Sequence, residues 1–349
     1  MAFPSPVDTI NVLLVGYGMI GRLMHAPLID SVAGLELHAV VSSRPQAVHA
    51  DHPQLRVFQT LDEALRDADI ALVVIATPND SHAPLAHRAL AAGCHVIVDK
   101  PATLDADEAR ALATAAASRG LMFSVFHNRR WDADFLTLKR LIADDALGEI
   151  GRCHMHYDRF RPEVQDRWRE RPGPGSGSWY DLGSHLVDQT LVLFGRPQAV
   201  WAELAALRPG GDTVDFFHVV LHYPRHRVVL ESHAMSASNA LRYAVDGRRA
   251  SYRKSGLDSQ EQSMRDGGYP GQPQWGLDRE RGTLTHGDGT IESVENATGD
   301  YRCFYANVAA HLRHGEALAV TPAQVIDVMR VIDAAIESSR KRREVVLSG

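Results

Sequence analysis

A buried strand followed at once by a glycine-rich turn constrains the fold of this chain more than any other feature. Residues Ile10–Val15 form the continuous apolar run INVLLV, which is typical of a parallel strand covered on both faces. The next six residues are GYGMIG, and a helical pattern follows. In this context Gly16 permits a tight turn, Gly18 lets a pyrophosphate approach the backbone, and Gly21 allows close helix packing. The pattern predicts a dinucleotide-binding turn, with an ordinary glycine-rich turn as the alternative.

Further apolar runs alternate with helical segments through the first third of the chain. Strands are predicted at Leu35–Val41 and at residues 70–76, 94–98 and 122–126. Strand and helix alternating at this spacing indicate an α/β fold with a doubly wound parallel sheet. The carboxyl ends of parallel strands share one edge of the sheet, where ligands bind. The residues expected at that edge are Gly16, Ser42, Thr77, Asp99 and His127.

The end of the second strand indicates which dinucleotide fits. NAD-binding proteins usually place an acid there, against the ribose hydroxyls. This chain has Ser42, Ser43 and Arg44 instead, and a guanidinium flanked by hydroxyls suits a 2′-phosphate. The sequence therefore favours NADP, with NAD as the less preferred cofactor; a solvated loop arginine is the other interpretation.

The fourth long strand ends in Asp99-Lys100-Pro101. A lysine at the open end of a buried sheet is poorly solvated and lies where ligands sit. Lys100 is therefore a candidate catalytic residue. A lysine whose amine simply extends into solvent is the alternative.

The second half has a different pattern. We predict a helix at residues 132–147, then strands at 152–160, 199–204, 216–223, Arg227–His233 and 241–245, and closing helices at 301–314 and 322–343. Strands without intervening helices indicate an α+β domain with an open, mainly antiparallel sheet. Residues 254–299 are polar and glycine-rich and are predicted to have little regular structure. Residues 1–128 then form the dinucleotide-binding domain, and residues 129–349 a second domain for substrate binding.

Asp181 and His185 carry the chemistry of the second half. At a spacing of four residues they share one face of a helix. An imidazole beside a carboxylate has a fixed tautomer and a raised proton affinity, which suits proton exchange with a hydroxyl. Two alternatives are a helix cap with a packed histidine, and a metal pair; no third ligand at a suitable spacing supports the second.

Composition excludes several functions. The net charge of −6 disfavours nucleic acid and anionic membranes as partners. The three cysteines are far apart, which excludes a disulfide framework or a CxxC metal site and fits a reducing cytoplasm. The 18 histidines show no metal-ligand pattern. Residues 1–8 lack the features of a signal peptide, and no apolar run is long enough to span a membrane.

Together these motifs resemble the Gfo/Idh/MocA family over nearly the whole chain. The family pattern Glu-Lys-Pro has Asp99 in place of the glutamate, and the later Asp-x-Gly-x-x-His motif is one residue tighter here. Four longer strings resemble the branch that contains NADP-dependent scyllo-inositol dehydrogenases. They are SVFHNRRWD at 124–132, DRFRPE at 158–163, RWRE at 167–170 and WYDLGSH at 179–185.

The resemblance implies further cofactor contacts. Asp99 would reach a ribose hydroxyl, Asn128 would lie near the nicotinamide, and a cis peptide is expected before Pro101. The remaining residues implied to bind the cofactor are Met19, Ile20, Thr77, Pro78, Asn79, His82, Lys100, Trp168 and Arg169.

The resemblance also implies hydride transfer between NADP and a secondary alcohol of a cyclic polyol. Lys100, Asp181 and His185 would be catalytic and also touch the substrate, with Lys100 or His185 taking the proton. Further substrate contacts, argued from position, are Arg130, Trp131, Tyr157 and Asp158. The resemblance implies that the open sheet of residues 129–349 serves in oligomer contacts, so a homodimer or homotetramer is expected. The alternatives are an aldose or ketosugar dehydrogenase or reductase of the same family, and a regulator that binds the dinucleotide without turnover.

Overall fold

A computed structural model describes residues 9–66, 69–238 and 241–347. The interpretation of residues 1–8 as lacking a signal peptide lies outside these residues. Within them, every helix is too short or too polar to cross a membrane.

The first half forms a six-stranded sheet in the order β3-β2-β1-β4-β5-β6, with every described pair parallel. This is the predicted doubly wound arrangement, and its order reverses between β1 and β4, where such folds bind dinucleotides. The strands are β1 Ile10–Val15, β2 Leu35–Val41, β3 Arg56–Phe58, β4 Leu72–Ile75, β5 His95–Val98 and β6 Phe123–Val125.

Helices cover both faces of this sheet. A π-helical turn at Gly21–His25 leads directly into the first α-helix, and a 3₁₀ turn at Asn79–Ser81 leads into the fourth. The helices are α1 Ala26–Asp30, α2 Pro45–Asp51, α3 Leu61–Ala64, α4 His82–Ala91 and α5 Ala106–Ala117.

The second half forms a nine-stranded sheet in the order β14-β13-β12-β11-β7-β10-β9-β8-β15. Only β7 and β10 pair in parallel among its described strands, which confirms an open, mainly antiparallel sheet. The strands are β7 Ile150–His156, β8 Ala199–Ala205, β9 Phe216–His222, β10 Arg227–His233, β11 Leu241–Gly247, β12 Ala250–Ser255, β13 Gly282–His286, β14 Ile291–Val294 and β15 Val345–Val346.

The prediction of little regular structure at residues 254–299 is wrong. This segment contains α8 Gln260–Arg265, the strand β13 and the edge strand β14. Three of the four β14 residues are exposed, so the strand lacks the apolar alternation that sequence analysis depends on. Backbone pairing at the sheet edge defines it instead.

The long helices of the second half connect the two sheets. They are α6 Ala133–Ala143, α7 Ser184–Phe194, α9 Arg302–His314 and α10 Pro322–Lys341. α10 packs against α5 of the first half and against β8 of the second sheet, so it lies at the interface between the two halves. A domain boundary at residue 128 stays a prediction.

A buried ion pair joins α6 to the second sheet. Arg242 of β11 donates from Nε to Asp134 Oδ2 at 3.1 Å, and neither side chain is exposed to solvent. The same guanidinium donates to Gln189 Oε1 at 2.8 Å, and Gln189 in turn donates to the Arg129 carbonyl at 2.7 Å. Arg242 therefore connects the second sheet to α6 through Asp134 and to α7 through Gln189.

Candidate active site

The glycine-rich turn has the shape that a dinucleotide requires. Gly16 has a φ of +100°, and a Cβ there would lie 2.5 Å from the Ala76 carbonyl oxygen. A Cβ on Gly21 would collide with the Gly16 carbonyl, whereas one on Gly18 would meet no atom within 4 Å. Gly16 and Gly21 are thus required by backbone packing, and Gly18 leaves open space for a pyrophosphate.

Arg44 lies beside this turn. Its backbone N–H donates to Ser42 Oγ at 3.0 Å, and its Nη2 donates to the Tyr17 carbonyl at 3.1 Å. Ser42 is buried, while Ser43 and Arg44 are exposed. The guanidinium therefore extends from the end of β2 towards the first turn, where it remains accessible.

Two residues expected at the nicotinamide have structural partners. The ring nitrogens of His82, which is fully buried, lie 2.8 Å from the Pro101 carbonyl and 2.9 Å from the Thr77 carbonyl. His82 thus ties the end of β4 to the loop after β5. Asn79 donates from Nδ2 to the Gly175 carbonyl at 2.8 Å and so holds the loop before α7 against the first domain.

Lys100 is the centre of the site. Its Nζ donates to Asp181 Oδ1 at 2.7 Å and to the Asp181 carbonyl at 2.6 Å. Burial would raise the pKa of Asp181, but the charges of Lys100 and Arg169 outweigh burial and hold this pKa well below its usual range. Arg169 Nε lies 3.4 Å from the same carboxylate oxygen. The peptide before Pro101 is cis, as the resemblance implies.

A π-helical turn at Trp179–Gly183 presents Asp181 to the lysine. A Cβ on Gly183 would overlap the Trp179 ring, which is buried against Phe217. Gly183 therefore lets the turn close over the tryptophan. The widened turn places both the carboxylate and the carbonyl of Asp181 on the lysine amine, a use typical of π-turns at functional sites.

His185 follows in the first turn of α7, and its protonation is the reverse of the expected one. Sequence reasoning predicts a raised proton affinity from Asp181, but that carboxylate pairs with Lys100. Burial, together with the charges of Lys100 and Arg129, lowers the pKa of His185 well below its ordinary value. Its Nδ1 is buried without a hydrogen-bond partner among the described residues. The imidazole is therefore neutral near pH 7 and can accept a proton.

Asp99 lies on the other side of Lys100. The carboxylate is buried, with His25 Nε2 at 3.8 Å. Burial raises its pKa, while His25 and Lys100 lower it by more, so the group is an anion. It lies at the end of β5, in position to accept a hydrogen bond from a hydroxyl.

These groups share one cavity with about 780 Å³ of open space, including the solvent at its mouth. Residues predicted from the sequence to be in the site form much of its wall. They are Met19, Ile20, Asp99, Lys100, Asn128, Tyr157, Arg169, Asp181 and His185.

Three predicted substrate contacts point elsewhere. Arg130 is buried and donates to Asp188 Oδ1 at 2.6 Å from Nη2. Trp131 packs edge-on against Phe304, and Asp158 accepts the His233 N–H at 2.9 Å. Trp168, predicted to reach the cofactor, is also absent from the residues described around this cavity.

Sequence reasoning missed several cavity residues. Arg159 and Arg161 follow the predicted Tyr157 at intervals of two residues and also face the cavity, while Asp158 lies on the opposite side. That alternation could have identified the two arginines. Arg129 takes the place predicted for Arg130, and Glu261 and Arg265 come from α8, in the segment predicted to be irregular.

The opposite face of β7 gathers a second group of titratable side chains. Ligand atoms of His154, His156 and Glu231 lie within 4.8 Å of one another, and His218 Nδ1 lies 2.5 Å from Glu231. The pairing of β7, β10 and β9 brings these residues together across the sheet. This juxtaposition was invisible in the sequence spacing, which suggested no metal-ligand pattern.

Models of two protein domains match this chain. Residues 10–127 match the NAD-binding Rossmann fold of an oxidoreductase family, and residues 139–347 match the C-terminal alpha/beta domain of the same family, GFO_IDH_MocA. The chain belongs to the Gfo/Idh/MocA oxidoreductase family.

Relatives extend over nearly the full length. The chain is 45% identical to the uncharacterized oxidoreductase YdgJ of Escherichia coli, covering 98% of this chain and 99% of that protein. It is 40% identical to IolW of Bacillus subtilis, named scyllo-inositol 2-dehydrogenase (NADP(+)), with 98% and 97% covered. An inositol 2-dehydrogenase of Rhizobium meliloti is more distant, at 27% identity.

Solved structures of family members have the same fold. The B. subtilis oxidoreductase yvaA superimposes with a TM-score of 0.95 at 40% identity, covering 99% of this chain and all of that one. The Yersinia pestis oxidoreductase YPO2259 gives a TM-score of 0.93 at 43% identity, covering 98% of both chains.

Proposed function

We propose that this oxidoreductase uses NADP to oxidise a secondary alcohol of a cyclic polyol, with scyllo-inositol as the first candidate substrate. The observation that carries the proposal is an ammonium group, Lys100, fixed by Asp181 in the same cavity as the neutral imidazole of His185. Similarity to IolW over nearly the whole chain supports the substrate class.

The first domain fits a nicotinamide dinucleotide. Gly16, Gly18 and Gly21 would hold the pyrophosphate, and Arg44 with its neighbouring serines would hold the 2′-phosphate. When the dinucleotide is bound, its nicotinamide would supply the hydride acceptor at the carboxyl end of the first sheet.

Lys100 binds the reacting oxygen in this proposal. Hydride leaves a carbinol carbon as the hydroxyl loses its proton, so negative charge develops on the oxygen. A fixed ammonium group stabilises that charge in a cleft with little water. Asp181 keeps the ammonium in place through its carboxylate and its carbonyl.

His185 accepts the hydroxyl proton. The imidazole is neutral, and its Nδ1 has no hydrogen-bond partner among the described residues, so the ring can accept a proton. Lys100 is the competing acceptor, because its amine lies in the same cavity.

The acid limb of the pH profile tests the role of His185. Because burial lowers its pKa, the histidine stays neutral as the pH falls through 6.5, and oxidation should remain active there. We expect kcat for alcohol oxidation to be nearly constant from pH 7.5 to 6.5 and to decline only below. A decline centred at pH 6.5 or above would exclude a buried neutral histidine as the acceptor.

A spectrophotometric screen tests the proposed function. Purified protein is incubated with inositol isomers and common sugars, with NADP and NAD in parallel. Turnover of scyllo-inositol with NADP preferred is the expected result. Turnover of an aldose alone would retain the mechanism and replace the substrate, and tight NADP binding without any turnover would indicate a regulator.

Replacing Arg44 with alanine tests the cofactor. Loss of charge-assisted hydrogen bonds to a phosphate should raise the KM for NADP by about ten- to a hundredfold. The KM for NAD, which has no 2′-phosphate, is the internal control and should change by less than about twofold. Equal changes for both cofactors would contradict the assignment.

Two further proposals concern the cellular context. All three cysteines are free, which is typical of a cytoplasmic protein. The face of the second sheet that carries His154 and Glu231 is uncovered in the single chain and would serve for assembly into a dimer or tetramer.

A further inference from the structure

The active-site cavity continues past Asp181 into a second pocket with about 510 Å³ of open space. The two share Arg159, Arg161, Arg167, Arg169, Asp181 and Leu182. Every residue described around the extension lies between positions 159 and 234. The second domain therefore builds this pocket, on the side away from the dinucleotide turn.

Some arginines of this second pocket, here called the extension, already pair with carboxylates of the protein. Arg208 Nε donates to Asp215 Oδ2 at 2.9 Å, and its Nη2 lies 3.2 Å from Glu170 Oε2. Arg167 donates to the other oxygen of Glu170 at 2.7 Å. These ion pairs hold the pocket wall together, and their arginines are not free to bind a ligand.

Arg159 and Arg161 differ from these. Within residues 9–66, 69–238 and 241–347, neither guanidinium has a carboxylate oxygen within 4 Å. Arg159 stacks on the Tyr157 ring at 5.0 Å, together with Arg129 on the same ring. Burial and then the charges of Arg159 and Arg167 lower the pKa of Arg161, as expected for a cation crowded by other cations.

Three buried polar atoms of the pocket also lack partners. Arg159 Nε, Ser178 Oγ and His233 Nε2 have no hydrogen-bond partner among the described residues. All three can donate a hydrogen bond. These three atoms are themselves inaccessible to a ligand, so the half-buried guanidinium groups of Arg159 and Arg161 are the binding groups of the pocket.

We propose that this extension binds an anionic group of the substrate, so that the preferred substrate is a polyol or sugar bearing a carboxylate, phosphate or sulfonate. The proposal rests on the proposed function, because the alcohol to be oxidised would lie at Lys100 and the anion at Arg159 and Arg161. Guanidinium groups are well suited to such oxyanions. A neutral inositol would leave this pocket to water.

Matched substrate pairs test the proposal at saturating NADP. Three comparisons are made: scyllo-inositol with an inositol monophosphate, D-glucose with D-glucuronate, and D-glucose with D-glucose 6-phosphate. We expect kcat/KM to be at least about tenfold higher for an anionic member than for its neutral counterpart. Preference for glucuronate would identify a carboxylate subsite, and preference for a phosphate ester would identify a phosphate subsite.

Substitutions in the extension test whether Arg159 and Arg161 cause the preference for an anionic substrate. Arg161→Gln and Arg159→Gln should each raise the KM for the anionic substrate by about tenfold or more, and Arg161→Lys should recover part of the loss. The KM for the neutral substrate should rise by a smaller factor, because that substrate has no anionic group to contact these arginines. Arg171→Gln is the matched control, because Arg171 lies on the same loop, is largely exposed and pairs with Asp166.

Inorganic sulfate provides a readout that needs no turnover. It should raise the Tm of the wild type in the presence of NADP, and Arg161→Gln should remove most of this shift. If no alcohol is oxidised but the sulfate shift behaves in this way, the proposed function fails and the anion site stands.

Three results would overturn the inference. One is a neutral substrate preferred by both the wild type and the Arg161→Gln variant. Another is a raised KM for NADP alone in the variants, which would assign these arginines to the cofactor. The third is a sulfate shift that is the same in Arg161→Gln, Arg161→Lys and the wild type.

Discussion

Replacing Lys100 with methionine should lower kcat for alcohol oxidation by about 10²–10³-fold, because a fixed donor to developing oxyanion charge contributes on this scale. Methionine keeps the unbranched apolar stem and removes the ammonium group. Asp181 then loses its shortest ion pair, at 2.7 Å, but Arg169 remains within 3.4 Å of the same oxygen. The fold and the dinucleotide turn should therefore persist.

Two measurements separate catalysis from binding in this variant. The Kd for NADP, from fluorescence titration, should change by only a few-fold, while kcat falls. Lys139→Met on the exposed side of α6 is the matched control and should retain full activity. A Lys100→Met enzyme with more than a tenth of the wild-type kcat would remove Lys100 from the mechanism.

Replacing Arg242 with methionine should lower the free energy of unfolding by about 3–5 kcal/mol. The substitution leaves Asp134 as a charge with no solvent exposure and removes the hydrogen bond to Gln189. Because Arg242 also lies 5.4 Å from the centre of the Tyr157 ring, the loss should loosen the wall of the active site as well.

Urea denaturation with matched variants checks this expectation. Combining Arg242→Met with Asp134→Leu should recover much of the lost stability, since an apolar pair can replace a buried ion pair. Arg249→Met, which breaks an ion pair with both partners more than 60% exposed, should cost less than about 1 kcal/mol. A loss below about 1 kcal/mol for Arg242→Met would show that solvent reaches Asp134.

Most of the first sheet was predictable because strands β1, β4, β5 and β6 are largely buried on both faces. The short edge strand β3 is exposed or half-buried and was not predicted. β1 and β2 begin and end at the residues that the apolar runs indicate. Central parallel strands must be apolar throughout, so composition alone marks them. The strands of the second sheet have one uncovered face. Its last two strands at one side, β13 and β14, are mostly polar, so cross-strand hydrogen bonds define them rather than composition.

The site was predictable as a set of residues but less so as a set of charges. Lys100, Asp181 and His185 share the cavity that the motifs predict. The pKa of His185, however, depends on Lys100 and Arg129, which lie 85 and 56 positions away in the chain. The sequence predicted Arg130 at the cavity, whereas Arg129 lies there, and the reason is similar. Both lie in one 3₁₀ turn, Asn128–Trp131, and tertiary partners decide which of them faces the cleft.

The π-helical turn at Trp179–Gly183 makes chain length a strict requirement at this point. Its hydrogen bonds close one residue later than those of an α-helix, so the turn accommodates an extra residue ahead of α7. Deleting one residue would favour an ordinary α-helix and rotate the preceding residues by about 100° around the helix axis. Asp181 would then leave Lys100 even if every side chain were retained. For an engineer of this protein, positions around Asp181 other than Gly183 can be substituted, whereas the number of residues between Trp179 and His185 must be kept.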